Sequence, residues 1–401
     1  MIIVGGTYYE RTEDPLGDKV LGSGLRAAAA LAGTGSHKFY SCIDERLRPS
    51  AEATASPFRL DVAFSARELP IGFSYYSPLG TPAVDGLNQA SVPLAIDARL
   101  GTALVFGMLE ADVSVDAKGI VFDPQRPRGT RPIDRSRLRA VRFALVANAT
   151  EICSLGGTSD VEAAARRLIS DADADIVVVK RGAIGATVFE ASGRSISIGP
   201  YQTDRVWPIG SGDVFTAAFA WAWLEEARDA QESAELASAS AAVWCGSQRL
   251  PLGLKAGARP EDLAAGVALR PRTEPVRVYL AAPFFDISSR WLVGLTYQAL
   301  RHLGGLVFSP FHDVGLGGDE VAQSDIDGLV RSESILALLD GADAGTLFEM
   351  GYAAAKGIPM VGYAAHPDRE EYKMLRGLGA FLTDDLSTAV YHAIWAGMVP
   401  R

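Results

Sequence analysis

Short apolar, β-rich runs alternate with Ala-rich helical segments along most of the chain, and this rhythm restricts the fold more than any other feature. Residues 141–147, apolar apart from Arg142, and 176–179 read as buried strands of a parallel sheet. Residues 160–169 between them have helical character. Strand, helix and strand in that order predict an α/β, doubly wound sheet. The stretch 57–77 is less regular and alternates, as in Phe58-Arg59-Leu60-Asp61-Val62-Ala63-Phe64, and is expected to supply edge strands or a small lid. Prolines and charges break the pattern between 257 and 275, ending in Arg270-Pro271-Arg272-Thr273-Glu274-Pro275, a composition suited to an exposed linker. A fresh strand then begins at 276–281. The expected organisation is a domain over 1–265, a linker over 266–275 and a second domain over 276–401.

The bulk numbers narrow the function classes. In 401 residues, 48% are hydrophobic and 21% charged, so each domain has material for a core. The net charge of −10 argues against a nucleic-acid or anionic-membrane binder, which needs a basic surface. Cys42, Cys153 and Cys245 lie far apart with no metal-ligand spacing, which predicts neither a disulfide framework nor a zinc site. The start, Met1-Ile2-Ile3-Val4-Gly5-Gly6, reads as a buried strand rather than a signal peptide, and the apolar run 215–224 is too short to span a bilayer. A cytoplasmic location is expected.

Ile209-Gly210-Ser211-Gly212-Asp213 places small residues before a helix-forming apolar run. Such a turn presents backbone N–H groups at a helix N-terminus, where an anion is favoured. An aspartate beside a transferring phosphoryl group there can take the proton of a substrate hydroxyl. Alone, the segment reads first as an ordinary helix start with Ser211 or Asp213 as its N-cap. Two further segments follow buried strands at the sheet edge where α/β proteins bind ligands: Asn148-Ala149-Thr150-Glu151 and Lys180-Arg181-Gly182-Ala183-Ile184-Gly185. Gly33-Thr34-Gly35-Ser36-His37-Lys38 lacks the spacing of a phosphate-binding P-loop and reads as a turn after a helix.

These three segments, in this order, resemble the PfkB (ribokinase-like) carbohydrate and nucleoside kinase family over about residues 1–265. The resemblance implies a three-layer α/β/α domain, ATP and Mg²⁺ as cofactors, Asp213 as catalytic base and Gly210-Ser211-Gly212 as an anion hole. It further implies that Asn148 and Glu151 help place the phosphates and, indirectly through Glu151, Mg²⁺, and that Gly182 and Gly185 form the nucleotide-binding edge. The chain departs from that family twice. Thr7-Tyr8-Tyr9 stands where an aspartate usually binds substrate, and Gly22-Ser23-Gly24-Leu25-Arg26-Ala27 lacks the sugar-binding asparagine. The short spacing from Gly6 to Gly22 implies a reduced lid.

In the second half, a strand at 276–281 leads to Pro283-Phe284-Phe285, a helix is expected over 289–303, and a short strand over 306–308 ends at Ser309-Pro310-Phe311-His312-Asp313. Residues 324–328 are expected to precede a helix. The apolar strand 334–339 ends at Asp340-Gly341-Ala342-Asp343, before a helix carrying Glu349. This alternation predicts a smaller, Rossmann-like (flavodoxin-like) parallel sheet with polar groups at its strand ends. Tyr279, Asp325 and the spacing Asp343-x-Gly-x-x-x-Glu349-x-Gly351 resemble the nucleoside 2-deoxyribosyltransferase family over about 276–390. That resemblance implies Glu349 as nucleophile at the anomeric carbon, Tyr279 orienting it, and Asp343 and Asp325 contacting base or sugar and assisting proton transfer. No cofactor is implied for this domain. Cleavage of an N-glycosidic bond builds oxocarbenium-like charge that a carboxylate can capture, while a second carboxyl group protonates the departing base. Phe284 and Phe285 are open to base stacking or to packing, His312 is assigned no role, and Ser309 is a candidate phosphate contact.

Three whole-chain readings stay open. The first is a bifunctional enzyme that transfers or hydrolyses an N-glycosidic bond and phosphorylates a sugar or nucleoside. The second is an N-glycosidase or deoxyribosyltransferase with an inactive, nucleotide-binding or scaffolding kinase-like half. The third is a non-catalytic nucleotide sensor. All three predict small-molecule nucleoside, nucleotide or sugar partners, no nucleic acid and no membrane, and the resemblance of the second half implies a homo-oligomer.

Overall fold

The computed structural model describes residues 1–87, 91–125, 132–315, 317 and 319–399. The chain divides into two compact units. The first is Met1–Arg181, Gly185–Tyr201 and Pro208–Gly266; the second is Gly182–Ile184, Gln202–Trp207 and Val267–Arg401.

The first unit is built on a nine-stranded sheet. Its spatial order is Ser195–Ile198, Ala186–Glu190, Ile176–Lys180, Leu138–Asn148, Ala111–Asp123, Val92–Phe106, Ile2–Val4, Lys38–Asp44 and Asp61–Arg67. Seven strands run parallel, and Ala186–Glu190 and Ser195–Ile198 pair antiparallel at one edge. The centre is covered on both faces. Phe143, Leu145 and Ala147 pack against Ile152, Ala164 and Leu168 of the helices Ala149–Gly156 and Val161–Asp171. Ala144 and Val146, which alternate to the other face, are as fully buried. Helices on both faces make three layers, as expected of an α/β/α domain. The apolar run expected at 141–147 lies inside Leu138–Asn148, but burial begins only at Phe143, and Val141 is exposed.

The stretch 57–77 is divided between two sheets. Asp61–Arg67 is the edge strand of the large sheet. Gly72–Tyr75 joins Tyr9–Glu13, Leu16–Val20 and Ala83–Asp85 in a separate four-stranded sheet. That small sheet carries Glu10 toward the end of the helix Gly22–Ala30, where its carboxylate accepts from the Gly22 N–H at 3.0 Å.

The second unit has five parallel strands in the order Gly305–Phe308, Val276–Ala281, Ser334–Leu338, Met360–Tyr363, Phe381–Thr383. In sequence terms this is 2-1-3-4-5, the flavodoxin-like order, whose ligand crevice opens beside the first and third strands. Tyr279, Ile335 and Ala337 meet Leu329, Met350 and Ala353 in the core. Residues 324–328 lie within the helix Ala322–Arg331 rather than before it. Gly328 in that helix brings the backbone against the Phe308 ring, where a Cβ would sit only 2.4 Å from a ring carbon. Among the described residues no helix is long and apolar enough to cross a membrane.

Candidate functional site

Each unit carries a cluster of chemically active side chains at the carboxyl ends of its strands. In the first, Gly210 takes the left-handed conformation, φ 81°, and opens the helix Ser211–Ala220. Asp213, in its first turn, is buried. One of its oxygens accepts from Arg26 Nη1 at 2.6 Å and the other from Gln125 Nε2 at 2.5 Å. Arg26 is itself buried, on the helix Gly22–Ala30, and its Nη2 donates to Glu10 at 2.5 Å. Burial works against the Arg26 charge, but Glu10 and Asp213 outweigh it and hold the guanidinium firmly protonated. The guanidinium lies 5.4 Å from the Trp244 ring centroid. Its Nε–H has no acceptor and is so close to Gly210 that a Cβ there would fall 2.2 Å from it.

On the other side of the turn, Lys180 at the end of its strand donates to Asp123 at 2.6 Å and approaches the Gly212 carbonyl at 3.5 Å. Thr216 Oγ1 donates to the same Asp123 oxygen at 2.8 Å. Burial pushes the Asp123 carboxyl up to about 6 against the pull of Lys180, with Glu151 adding to the rise. Glu151 is thus within electrostatic reach of both, and it also raises the Lys180 pKa together with Asp123. Asn148 and Glu151 form a reciprocal capping box at the start of Ala149–Gly156: Asn148 Oδ1 accepts from the Glu151 N–H and Glu151 Oε2 from the Asn148 N–H. Gly182 and Gly185 both have positive φ and shape the turn after the strand Ile176–Lys180. Gly182 belongs to the second unit, where it packs on Leu303. A cavity of about 510 Å³ lies near the ends of the central strands, lined by Phe106, Met108, Phe122, Gln125, Ile133 and Leu138 among others. Gln125 therefore serves both this cavity and Asp213.

In the second unit, fully buried Tyr279 donates its phenolic hydrogen to Glu349 Oε1 at 2.6 Å. Its ring stacks on Phe308, 5.6 Å between centroids, so Gly328, Phe308, Tyr279 and Glu349 form one packed series. Burial pushes the Glu349 carboxyl up to about 7; the Tyr279 hydrogen bond opposes that rise, and the charges of Asp325 and Asp343 add to it. Asp325 is also raised by burial, and its Oδ1 is buried without a hydrogen-bond partner. Asp343 caps the helix Ala344–Ala355, accepting from the Thr346 N–H at 2.9 Å and Thr346 Oγ1 at 3.1 Å. All four residues singled out from the sequence are thus brought together. Phe284 packs on Phe311, 5.4 Å between centroids, whereas Phe285 is 71% exposed. His312 stacks on Tyr297 at 4.0 Å and pairs with Ser309 Oγ at 3.1 Å. Ser309 is buried in that network.

Arg26, Glu10, Gln125, Lys180 and Asp123 escaped the sequence reading as site residues. The available signal was Arg26, a charge inside an Ala-rich helix whose every residue is buried, since an arginine is almost never fully buried without partners.

A family model described as pfkB family carbohydrate kinase matches residues 104–251, and one described as nucleoside 2-deoxyribosyltransferase matches residues 278–379. Two curated relatives are named 5-dehydro-2-deoxygluconokinase. That of Clostridium botulinum is 38% identical over 72 residues, 18% of this chain and 21% of the relative. That of Clostridium beijerinckii is 37% identical over 89 residues, 22% and 25% respectively. The chain therefore spans about a fifth to a quarter of the curated relatives it matches. Similar solved structures include Arabidopsis thaliana ribokinase complexed with ribose and ATP, at TM-score 0.48, 20% identity and coverage of 62% of this chain and 95% of that one. Aminoimidazole riboside kinase from Salmonella enterica has TM-score 0.49 and 16% identity, covering 65% and 97%. The chain carries a pfkB family carbohydrate kinase domain and, after it, a nucleoside 2-deoxyribosyltransferase domain.

Proposed function

We propose that the protein is a bifunctional enzyme of nucleoside or sugar metabolism whose C-terminal domain breaks an N-glycosidic bond through Glu349. The single observation that carries this reading is the 2.6 Å Tyr279–Glu349 hydrogen bond within a group of carboxylates. Ionised Glu349 attacks the anomeric carbon; a C–O bond forms as the C–N bond to the base breaks, and the base leaves with a proton. Asp325 is the better placed donor, because burial favours its protonated form and one of its oxygens has no other partner. Asp343 holds the helix that carries Glu349 and adds negative charge opposite the developing oxocarbenium ion. A second base or a water then takes the glycosyl group from Glu349, which makes the protein a transferase or a hydrolase.

In the N-terminal domain the same proposal assigns Asp213 as the base for a sugar or nucleoside hydroxyl and 210–212 as the turn that receives the transferred phosphoryl group. ATP with Mg²⁺ would supply that group. The oxygen donors suit a hard cation: Glu151 lies close to Asp123, whose Oδ1 is buried without a partner. Among the described residues no set of three or more His, Cys, Asp or Glu ligands gathers.

The test is chromatographic. The protein is incubated with nucleosides and nucleoside monophosphates, with and without a second free base, beside Glu349→Ala. Base release or exchange by the wild type, lowered at least about a thousandfold in the variant, is the expected result, a loss on the scale of removing a nucleophile. Equal activity in the two proteins removes Glu349 from the reaction.

A further inference from the structure

The N-terminal cluster contains a cation in a place that decides what can reach the base. Both oxygens of Asp213 are engaged, one by Gln125 and one by Arg26. An acceptor that displaces only the neutral Gln125 amide leaves Asp213 neutralised by a buried guanidinium. An uncharged acceptor that displaces Arg26 from Asp213 leaves the guanidinium with Glu10 as its one charged partner and its Nε–H still unpaired. An anionic acceptor instead gives Arg26 a second charged partner as Asp213 is freed, and a charge-assisted bond of that kind is stronger than one to a neutral group. The guanidinium is also under-satisfied: its Nε–H is buried, has no acceptor, and lies against the Gly210 turn. A buried donor without a partner in an otherwise paired cluster keeps unused hydrogen-bonding capacity for an acceptor atom.

We propose that Arg26 determines the acceptor class of the N-terminal domain, selecting a small hydroxylated compound that carries its own carboxylate or phosphate. The anionic group takes over the guanidinium, with the Nε–H as its added donor, and releases Asp213. Asp213 then accepts the hydroxyl proton while the acceptor oxygen bonds to the γ-phosphorus of ATP and the bond from that phosphorus to the leaving ADP breaks. The inference rests on the phosphotransfer reading above. Arg26 is a specificity and positioning residue, and the fork geometry of its planar guanidinium suits either anion.

The experiment measures ADP formation with matched acceptors, glucose against gluconate and ribose against ribose 5-phosphate, with Mg–ATP binding followed by calorimetry. The expected result is at least a tenfold higher kcat/KM for the anionic member of one pair, abolished in Asp213→Ala. Arg26→Asn reverses the preference toward the neutral member, an outcome that mere loss of structure would not produce. Because Arg26→Asn uncovers two buried carboxylates, Arg26→Asn/Glu10→Gln is run beside it, with thermal melts for both. The carboxylate and phosphate pairs separate the two anion types. Equal use of the neutral member overturns the proposal. So does a preference unmoved in folded Arg26 variants, or no Asp213-dependent turnover of either anion by a protein that binds Mg–ATP. Failure of the wild type to bind Mg–ATP instead takes down the phosphotransfer reading, and the acceptor rule with it.

Discussion

Replacing Tyr279 by Phe deletes one hydroxyl and keeps the ring that stacks on Phe308, so it isolates the 2.6 Å bond to Glu349. The proposed reaction requires Glu349 to be ionised, and burial pushes its carboxyl up to about 7 with the Tyr279 bond opposing that rise. The free-enzyme profile of kcat/KM should therefore rise with pH through a limb near 7. A hydrogen bond to a charged group contributes about 1.5–3 kcal/mol, which at about 1.4 kcal/mol per pH unit moves the limb upward by about 1–2 units. At pH 7 the variant should be roughly 5- to 50-fold slower from the lost ionised fraction alone, and it should recover as pH rises toward 9. Base release from a nucleoside substrate, followed by absorbance between pH 5 and 9.5, reads both proteins directly. A limb that stays put or moves down refutes the assignment of Tyr279 as the group that keeps Glu349 charged. A deficit of the same size at every pH would do so too.

Two further substitutions test the framework of the first unit. Glu110 is buried, donated to by Tyr8 at 2.7 Å, and pushed by burial up to about 7. The folded state thus binds a proton that the unfolded chain has released, and stability falls as pH climbs from the ordinary carboxylate range through about 7. Glu110→Gln should stabilise the protein at pH 8 by on the order of 3 kcal/mol, and the gain should vanish at pH 4, as urea unfolding at the two pH values will show. Gly210→Ala should cost at least about 1–2 kcal/mol for the left-handed backbone alone, and more once the new methyl meets Arg26; thermal unfolding checks it.

The parts of the fold that could be read from the sequence are those where local pattern and burial coincide. Residues 176–179 and 335–338 are apolar throughout because both faces of their strands are covered, and a strand of that kind has little alternative. Glu349 and Asp343 were legible because the helix cap and the proposed nucleophile sit on one short segment whose spacing is fixed by the helix. The sequence pattern hides the start of the helix Ala322–Arg331 because Ser324, Asp325, Asp327 and Gly328 are poor helix formers. Packing on Phe308 makes Gly328 the residue the position requires. Arg26 and Asp213, 187 residues apart in the chain, meet only because the strands order their helices side by side, and no local signal encodes such a meeting. Gln125 reaches Asp213 across 88 residues for the same reason.

Asp343 holds two posts at once. Its carboxylate caps the helix Ala344–Ala355 and its charge acts on Glu349, the proposed nucleophile on that same helix. Helix ends fray before folds melt, and here the frayed end is the one that aims Glu349. Warming should therefore blunt C-terminal catalysis at temperatures where the five-stranded sheet is still intact. An inhibitor that bonds to Asp343 would act as a splint as much as a plug, stiffening the helix that it occupies.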